Sequence, residues 1–298
     1  MSLPIPVSYP PMEAQPVSEL PSGPDWQYEP KWDGFRGLAF RDGKKITLQS
    51  KSGKPLTRYF PELVTALLDL SPRQFVLDGE IVIPLDGSLS FDHLLMRIHP
   101  APSRILKLSQ STPCTFLVFD LLVNERGKSL TEFPLSVRRK ELEVFAKRYL
   151  KEKGLIRLSP ATPDLAKARK WFATGSGLDG IIAKRRDMHY QSGERKGMRK
   201  IKWQRTADCV VGGFRYLEKK SEVGSLLLGL YDEDGNLDHI GFTSSIFGPR
   251  TSRIDQKASE TGEASGFHRQ GTRRTESMEQ TVGELGAART QTCRRSAV

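Results

Sequence analysis

Long apolar runs are missing from this chain, and so are clustered cysteines and any surplus of acid. No stretch approaches the roughly 18 consecutive apolar residues of a bilayer span, so no transmembrane helix is expected. Cys114, Cys209 and Cys293 are odd in number and far apart. They form neither a disulfide framework nor a zinc-ligand pattern, which makes a reduced cytoplasm the expected compartment. The opening "MSLPIPVSYPPMEAQP" lacks a basic stretch followed by an apolar one, so it does not read as a secretory signal. Hydrophobic residues are 37% of 298, enough for a core over part of the chain but not along all of it. Positive charge is what the chain has in excess: 46 Lys and Arg against 35 Asp and Glu, net +11. Solubility is one reading. A polyanion partner is the other, because clustered Lys and Arg gain affinity by displacing counterions from phosphates.

Texture changes along the chain divide it into four. Residues 1–24 are proline-rich and read as an extended arm. Residues 25–206 alternate strands and helices. "GLAFRDGKKITLQS" (37–50) is a hairpin turning at Asp42-Gly43. "YFPELVTALLDL" (59–70) is helical, with Leu63, Leu67, Leu68 and Leu70 near one face. "QFVLDGEIVIPLDGSLSF" is strand, Asp86-Gly87 turn, strand, and "CTFLVFDLLV" (114–123) is a buried strand. Residues 136–150 form an amphipathic helix with a basic outer face, and 164–174 another helix. The expectation is an α+β domain of mainly antiparallel sheets with flanking helices. Residues 207–248 hold three successive strands with Gly and Asp turns, the start of a small barrel. Residues 249–298 have few large apolar residues and no usable period, so a disordered tail is expected there.

The chemistry-bearing residues are scattered in short strings. In "YEPKWDGFRG" (28–37), Lys31 stands between Glu29 and Asp33, with Gly34 and Arg36 following. A lysine nucleophile must lose its proton, be aimed, and meet an electrophile whose charge is neutralised. Taken alone, the string also fits a surface lysine in a turn. "FVLDGEIV" puts Asp78 and Glu80 two apart on one face of an apolar strand. A half-buried acid there needs a partner, unless that side simply faces solvent. "FLVFDLL" adds Phe119, either core or an aromatic platform, and Asp120. "LDGIIAKR" adds Asp179, Gly180 and Lys184. "RKIKW" puts Lys200 and Lys202 on one strand face, a solvated edge or a pair fit to hold phosphates.

In order, the strings K-x-D-G-x-R, S-[RK]-x-G, D-G-E, F-D, [ED]-G-I-x-x-K and K-x-K resemble the covalent nucleotidyltransferase superfamily of ATP-dependent DNA ligases, RNA ligases and mRNA capping enzymes. "YEPKWDGFR", "LTRYFPEL", "FVLDGEIV" and "DGIIAKR" are similar to short bacterial ATP-dependent DNA ligases, including those that work with Ku and a primase-polymerase in end joining. The resemblance covers about residues 24–247. It implies an adenylyltransferase domain of ATP-grasp-like nucleotidyltransferase type over 25–206 and a partial OB-fold over 207–248. It also implies a magnesium- or manganese-dependent monomer that seals nicked duplex DNA.

By the same resemblance Lys31 is the nucleophile that takes AMP, and Glu29 contacts the adenine amino group. Arg36 holds the ribose or adjacent phosphate, Glu80 bonds the ribose hydroxyl, and Phe119 stacks on adenine. Ser50 and Lys51 occupy the next motif, where arginine is commoner; lysine keeps the charge but loses the bidentate fork. Asp179 sits where glutamate is usual and, with Glu80, is the expected metal ligand. Lys200 and Lys202 bind the α-phosphate and the leaving pyrophosphate, with Lys184 a lesser nucleotide contact. A free lysine has a pKa near ~10.4. Nearby cations and a divalent ion would favour its neutral form.

The chain departs from that pattern after "GFTSSIF". The remaining barrel strands and a last basic motif are expected in such ligases and are not found. Read one base later, plausible codons for "GFHRQGTRRTESMEQ" (266–280) give a stretch resembling the next barrel segment. The tail is therefore read as a frameshifted remnant, with natural truncation as the alternative. Self-adenylylation is expected to be impaired. The rival functions are an RNA ligase or capping-type enzyme, and a protein that binds nucleotide or nicked DNA without turnover.

Overall fold

Strand alternation and helix stripes sort the buried apolar residues described between positions 2 and 202 into three packed clusters. The computed structural model describes residues 2–173, 178–202, 206–217, 223–243 and 293–294. The chain divides into two compact units, Met1–Trp203 and Gln204–Val298.

Among its described residues the first unit contains two main sheets and a two-stranded ribbon, Pro84–Leu85 with Ser88–Leu89. The larger has five strands in the order Lys45–Ser50, Phe35–Asp42, Gln74–Val82, Thr115–Val123 and Ile156–Leu158. All neighbours are antiparallel except the last pair. One face buries Leu77, Phe116 and Val118 under helices Pro61–Leu68 and Leu135–Tyr149, which contribute Leu63, Leu67, Leu142 and Phe145. Pro61 fixes the first turn of its helix, so the helix starts two residues later than the apolar pattern suggests, after a short 3₁₀ turn at Thr57–Tyr59.

The smaller sheet has four strands in the order Gln15–Pro16, Met198–Lys202, Gly180–Arg185 and Trp26–Lys31. Its outer face, with Tyr28, Ile181 and Ala183, is covered by helix Leu165–Ala173 through Ala168. The inner faces of the two sheets meet in a third cluster, Leu38, Phe40, Val76 and Leu122 against Met12, Tyr190 and Met198.

Two expectations are revised here. The proline-rich N-terminus is extended in backbone but lies on the domain. Ile5 and Met12 are buried, and Gln15–Pro16 pairs in parallel with Arg199 and Lys200. Its apolar residues cover an inner face that would otherwise be wet. The 135–149 helix does not carry all its basic residues outside: Arg138 and Arg139 are buried. Arg138 lies one helical turn from Leu142, so it belongs to the stripe that faces the sheet.

In the second unit Val210–Tyr216, Val223–Tyr231 and Leu237–Thr243 form an antiparallel meander in chain order. Gly235, at φ 82, makes the turn after Asp232, whose carboxylate accepts the Asp234 and Asn236 amides. These are the three strands expected from the sequence. Closure into a barrel lies outside the described residues, as does nearly all of the tail 249–298.

Candidate functional site

On the four-stranded sheet, alternation and register place one set of side chains on the inner face. Gln27, Glu29 and Lys31 lie there, opposite Lys184, Ile182 and Gly180, which in turn pair with Met198, Lys200 and Lys202. Lys31 and Lys202 are thus two strands apart at the same end. Asp179 lies between them: its backbone N–H donates to the Lys31 carbonyl (2.9 Å), its carboxylate pairs with the Lys31 ammonium, and Lys202 Nζ is 3.6 Å away.

Glycine makes both acid-bearing turns possible. A Cβ on Gly34, after Asp33, would collide with the Ile81 carbonyl, and one on Gly180, after Asp179, with the Ile201 carbonyl. Gly180 also has φ 151. Burial, followed by the charges of Lys202, Lys31, Lys51 and Arg195, holds the Lys200 ammonium below the usual lysine range. Positive charge is therefore in local excess at this end of the sheet.

Further along the same face, Glu29 accepts from Gln27 Nε2 at 2.9 Å and from Lys184 Nζ at 2.7 Å. Lys184 Nζ also stands 4.2 Å from the Phe119 ring centroid, so the motif lysine links the acid to the aromatic ring.

The five-stranded sheet supplies the opposite wall. Arg36 is in register with Glu80, and Asp78 with Asp120. Between Asp78 and Gly79 the partner jumps from Asp120 to Val118, so Phe119 is the extra residue of a β-bulge. In a regular strand Phe119 and Asp120 would point to opposite faces. The bulge lets the ring meet Arg36 (4.8 Å) and Lys184 while Asp120 still reaches the inner side.

Arg36 grips Asp78 with Nε and Nη2 at 2.7 and 2.6 Å, and Arg138 grips Asp120 with two bonds of 2.9 Å. Burial works against the charge on each guanidinium, but the carboxylate partners more than restore it. Glu80 has no such fork. Burial pushes its carboxyl up to about 7, although Arg36 and Lys31 pull it down. Asp33 is likewise raised, first by burial and then by Asp179.

The structure thus gathers Lys31, Asp179, Lys200, Lys202, Glu80 and Arg36 into one electrostatic neighbourhood, with Glu29, Lys184 and Phe119 beside it. Lys51 stands at the rim, half exposed, paired with Glu13 at 3.1 Å; its charge still reaches Lys200. Three participants were not picked out from the sequence. Arg138 could have been found from its helical spacing to Leu142 and Phe145. Gln27 follows from alternation with Glu29. Tyr190 stands in a polar loop, "MHYQSGERKG", where no periodicity marks it.

Among the described residues no three His, Cys, Asp or Glu side chains cluster as a ready-made metal cage. The site still fits a hard divalent ion. Such an ion takes one or two carboxylates plus phosphate oxygens and water. Here Glu80 and Asp33, both raised chiefly by burial, and Asp179 nearby are oxygen donors whose charged forms a bound cation would favour.

The chain is similar to known proteins. The family model of the ATP-dependent DNA ligase domain matches residues 11–202. DNA ligase C2 of Mycolicibacterium smegmatis is 48% identical over 245 residues, 81% of this chain and 67% of that protein. The multifunctional non-homologous end joining DNA repair protein LigD of Mycobacterium tuberculosis is 35% identical over 212 residues, 69% of this chain and 25% of LigD. The structure of mycobacterial DNA ligase D complexed with ATP and MES superposes with a TM-score of 0.51 at 26% identity, covering 98% of this chain and 90% of the other.

Proposed function

The chain belongs to the ATP-dependent DNA ligase family, and on that premise we propose that it seals nicks in duplex DNA through a lysyl-AMP intermediate on Lys31, in end-joining repair. Lys31 Nζ, having given up a proton, attacks the α-phosphorus of ATP. A P–N bond forms, the bond to the bridging oxygen breaks, and pyrophosphate leaves. The adenylyl group then passes to a 5′-phosphate at a nick and frees the lysine. The 3′-hydroxyl attacks that phosphate, loses its proton, and AMP departs.

Little covalent work falls to the protein in such transfers, so positioning and charge neutralisation carry the rate. Lys200 and Lys202 hold the α-phosphate and the leaving pyrophosphate, and Arg36 the ribose or adjacent phosphate. Phe119 stacks on adenine while Glu29, oriented by Gln27 and Lys184, accepts from its amino group. Glu80 bonds the ribose. Asp179 and Glu80 would hold a magnesium or manganese ion, which would neutralise phosphate charge and compete with Lys31 for Asp179. Lys51 takes the nick phosphate at the rim. The name of the LigD relative supports the pathway; Ku and a primase-polymerase are the proposed partners and a monomer the proposed working form. Among the described residues no helix is long and apolar enough to cross a membrane, and the proposed location is the cytoplasm.

The observation that carries this reading is the Lys31–Asp179–Lys202 cluster, with Lys200 under the same positive field. The test is incubation with α-labelled ATP and a divalent metal. The wild type should acquire label, at least weakly, that stays with the denatured protein in alkali and is released by acid, as a lysine phosphoramidate requires, and Lys31→Ala should acquire none. Undiminished labelling of the variant refutes the assignment.

A further inference from the structure

Tyr190 takes no part in the chemistry above, yet the Arg36 side of the site is assembled on it. Its ring is buried, stacked on Tyr9 with centroids 6.1 Å apart and covered by the Arg138 guanidinium at 5.5 Å. Its hydroxyl donates to Asp78 Oδ2 at 2.6 Å and accepts the Met12 backbone N–H at 3.0 Å. Asp78, fully buried, receives Arg36 on both oxygens. A buried carboxylate with three donors is held in one rotamer, and so is the guanidinium that grips it. Two of the five Arg36 N–H groups point at Asp78, which leaves the remainder to meet a ligand beside Phe119. Burial and the charge of Asp78 push the Tyr190 phenol well above its ordinary range, so it remains a donor at every working pH.

The same hydroxyl ties in the N-terminal segment. Beyond Met12, Glu13 N–H donates to the Glu194 carbonyl, and Gln15–Pro16 pairs with Arg199 and Lys200. One short segment therefore borders both the strand that bears Lys200 and, through Tyr190, the Asp78–Arg36 fork.

We propose that Tyr190 is a positioning residue for nucleotide binding: its hydroxyl fixes Asp78, Asp78 fixes the Arg36 fork, and the 10–16 segment is anchored to the nucleotide site through it. The inference rests on the proposed role of Arg36 and extends it to a residue that touches neither nucleotide nor DNA.

The test is the ATP dissociation constant of the full chain, measured by titration calorimetry in EDTA so that no transfer occurs. Tyr190→Phe keeps the ring and removes the hydroxyl. It should weaken ATP binding about tenfold, the worth of one hydrogen bond to a charged group. Tyr28→Phe is the control: it removes another buried hydroxyl, bonded to the Pro21 carbonyl on the other face of the sheet, and should leave ATP affinity unchanged. In an Arg36→Lys background, Tyr190→Phe should cost less than about twofold, because the fork it positions is already gone. Wild-type affinity in Tyr190→Phe, equal losses in both tyrosine variants, or fully additive losses with Arg36→Lys each overturn the proposal. A wild type that binds no ATP overturns the reading beneath it instead.

Discussion

The two walls of the site handle charge in opposite ways. On the five-stranded sheet Asp78 and Asp120 each have an arginine of their own, held by two bonds in a nearly dry interior. On the four-stranded sheet Lys31 and Lys202 share Asp179, and Lys200 lies close enough to feel both. On the first wall the Asp78 and Asp120 charges are neutralised within the protein and held rigidly, while Glu80 stands without a fork. The other wall is left short of negative charge, which a polyphosphate would supply. Unmatched cations cost some stability in the empty protein and become favourable only when the ligand arrives.

Removing one partner from the matched wall should produce the largest effect. Arg138→Ala leaves Asp120 buried without its fork and should cost about 3–5 kcal/mol of unfolding free energy in urea denaturation. Lys202→Ala removes a partly exposed pair 3.6 Å long and should cost less than about 1 kcal/mol, while sharply reducing attachment of AMP. Comparable destabilisation by the two variants would erase the contrast between the walls.

A smaller effect tests the unmatched wall directly. Burial and neighbouring cations hold the Lys200 pKa below its ordinary 10.5. Between the depressed value and 10.5 the unfolded chain binds this proton more tightly than the folded one, so stability rises with pH across that window. At neutral pH the charged lysine is thus a net cost. Lys200→Met should stabilise the empty protein by about 0.5–1 kcal/mol at pH 7, and the gain should vanish as pH approaches 10.5. Saturating ATP should reverse the order, because only the wild type gains fully from binding. A variant less stable than wild type at pH 7 without nucleotide would show that Lys200 is a matched charge after all.

The contrast explains what could be read from the residues alone. Short motifs such as Lys31 to Arg36 or Lys200 to Lys202 are legible because chemistry demands those residue types at those spacings. Alternation then gives their faces: Lys200 and Lys202 do share one, as do Glu29 and Lys31. The matched wall was hidden for the opposite reason. Arg138 meets Asp120 across 18 residues and Tyr190 meets Asp78 across 112; helical spacing puts Arg138 on the buried stripe, but nothing local prefigures either partner. A basic helix surface and a polar loop are the ordinary readings of those stretches, and tertiary packing overrode both. Phe119 lies between the two cases: its type was readable, but the bulge that turns it inward depends on a register shift with Gln74–Val82. The N-terminal proline-rich segment has an extended backbone that composition foresees; the cover it gives Tyr190 and Lys200 it does not.

The smallest effect belongs at the rim, where the two regimes meet. Glu13 accepts from Lys51 at 3.1 Å and from Arg195 at 2.9 Å, and it is the carboxylate nearest to hand for both. Burial works against its charge, but Lys51 and Arg195 hold its carboxyl below the usual range. Both cations are more than half exposed, so the bridge is worth little to the fold. Glu13→Gln should change unfolding free energy by no more than about 0.5 kcal/mol. It should nevertheless free Lys51 and Arg195 for phosphate. Fluorescence anisotropy with a nicked duplex should show tighter binding at low salt and a steeper loss of affinity with salt, by roughly one additional phosphate contact. Tighter binding without that change in slope would mean that Glu13 merely repels DNA at a distance. No change in either quantity would place the rim cations outside the DNA path and leave the unmatched charge of this wall to the nucleotide alone.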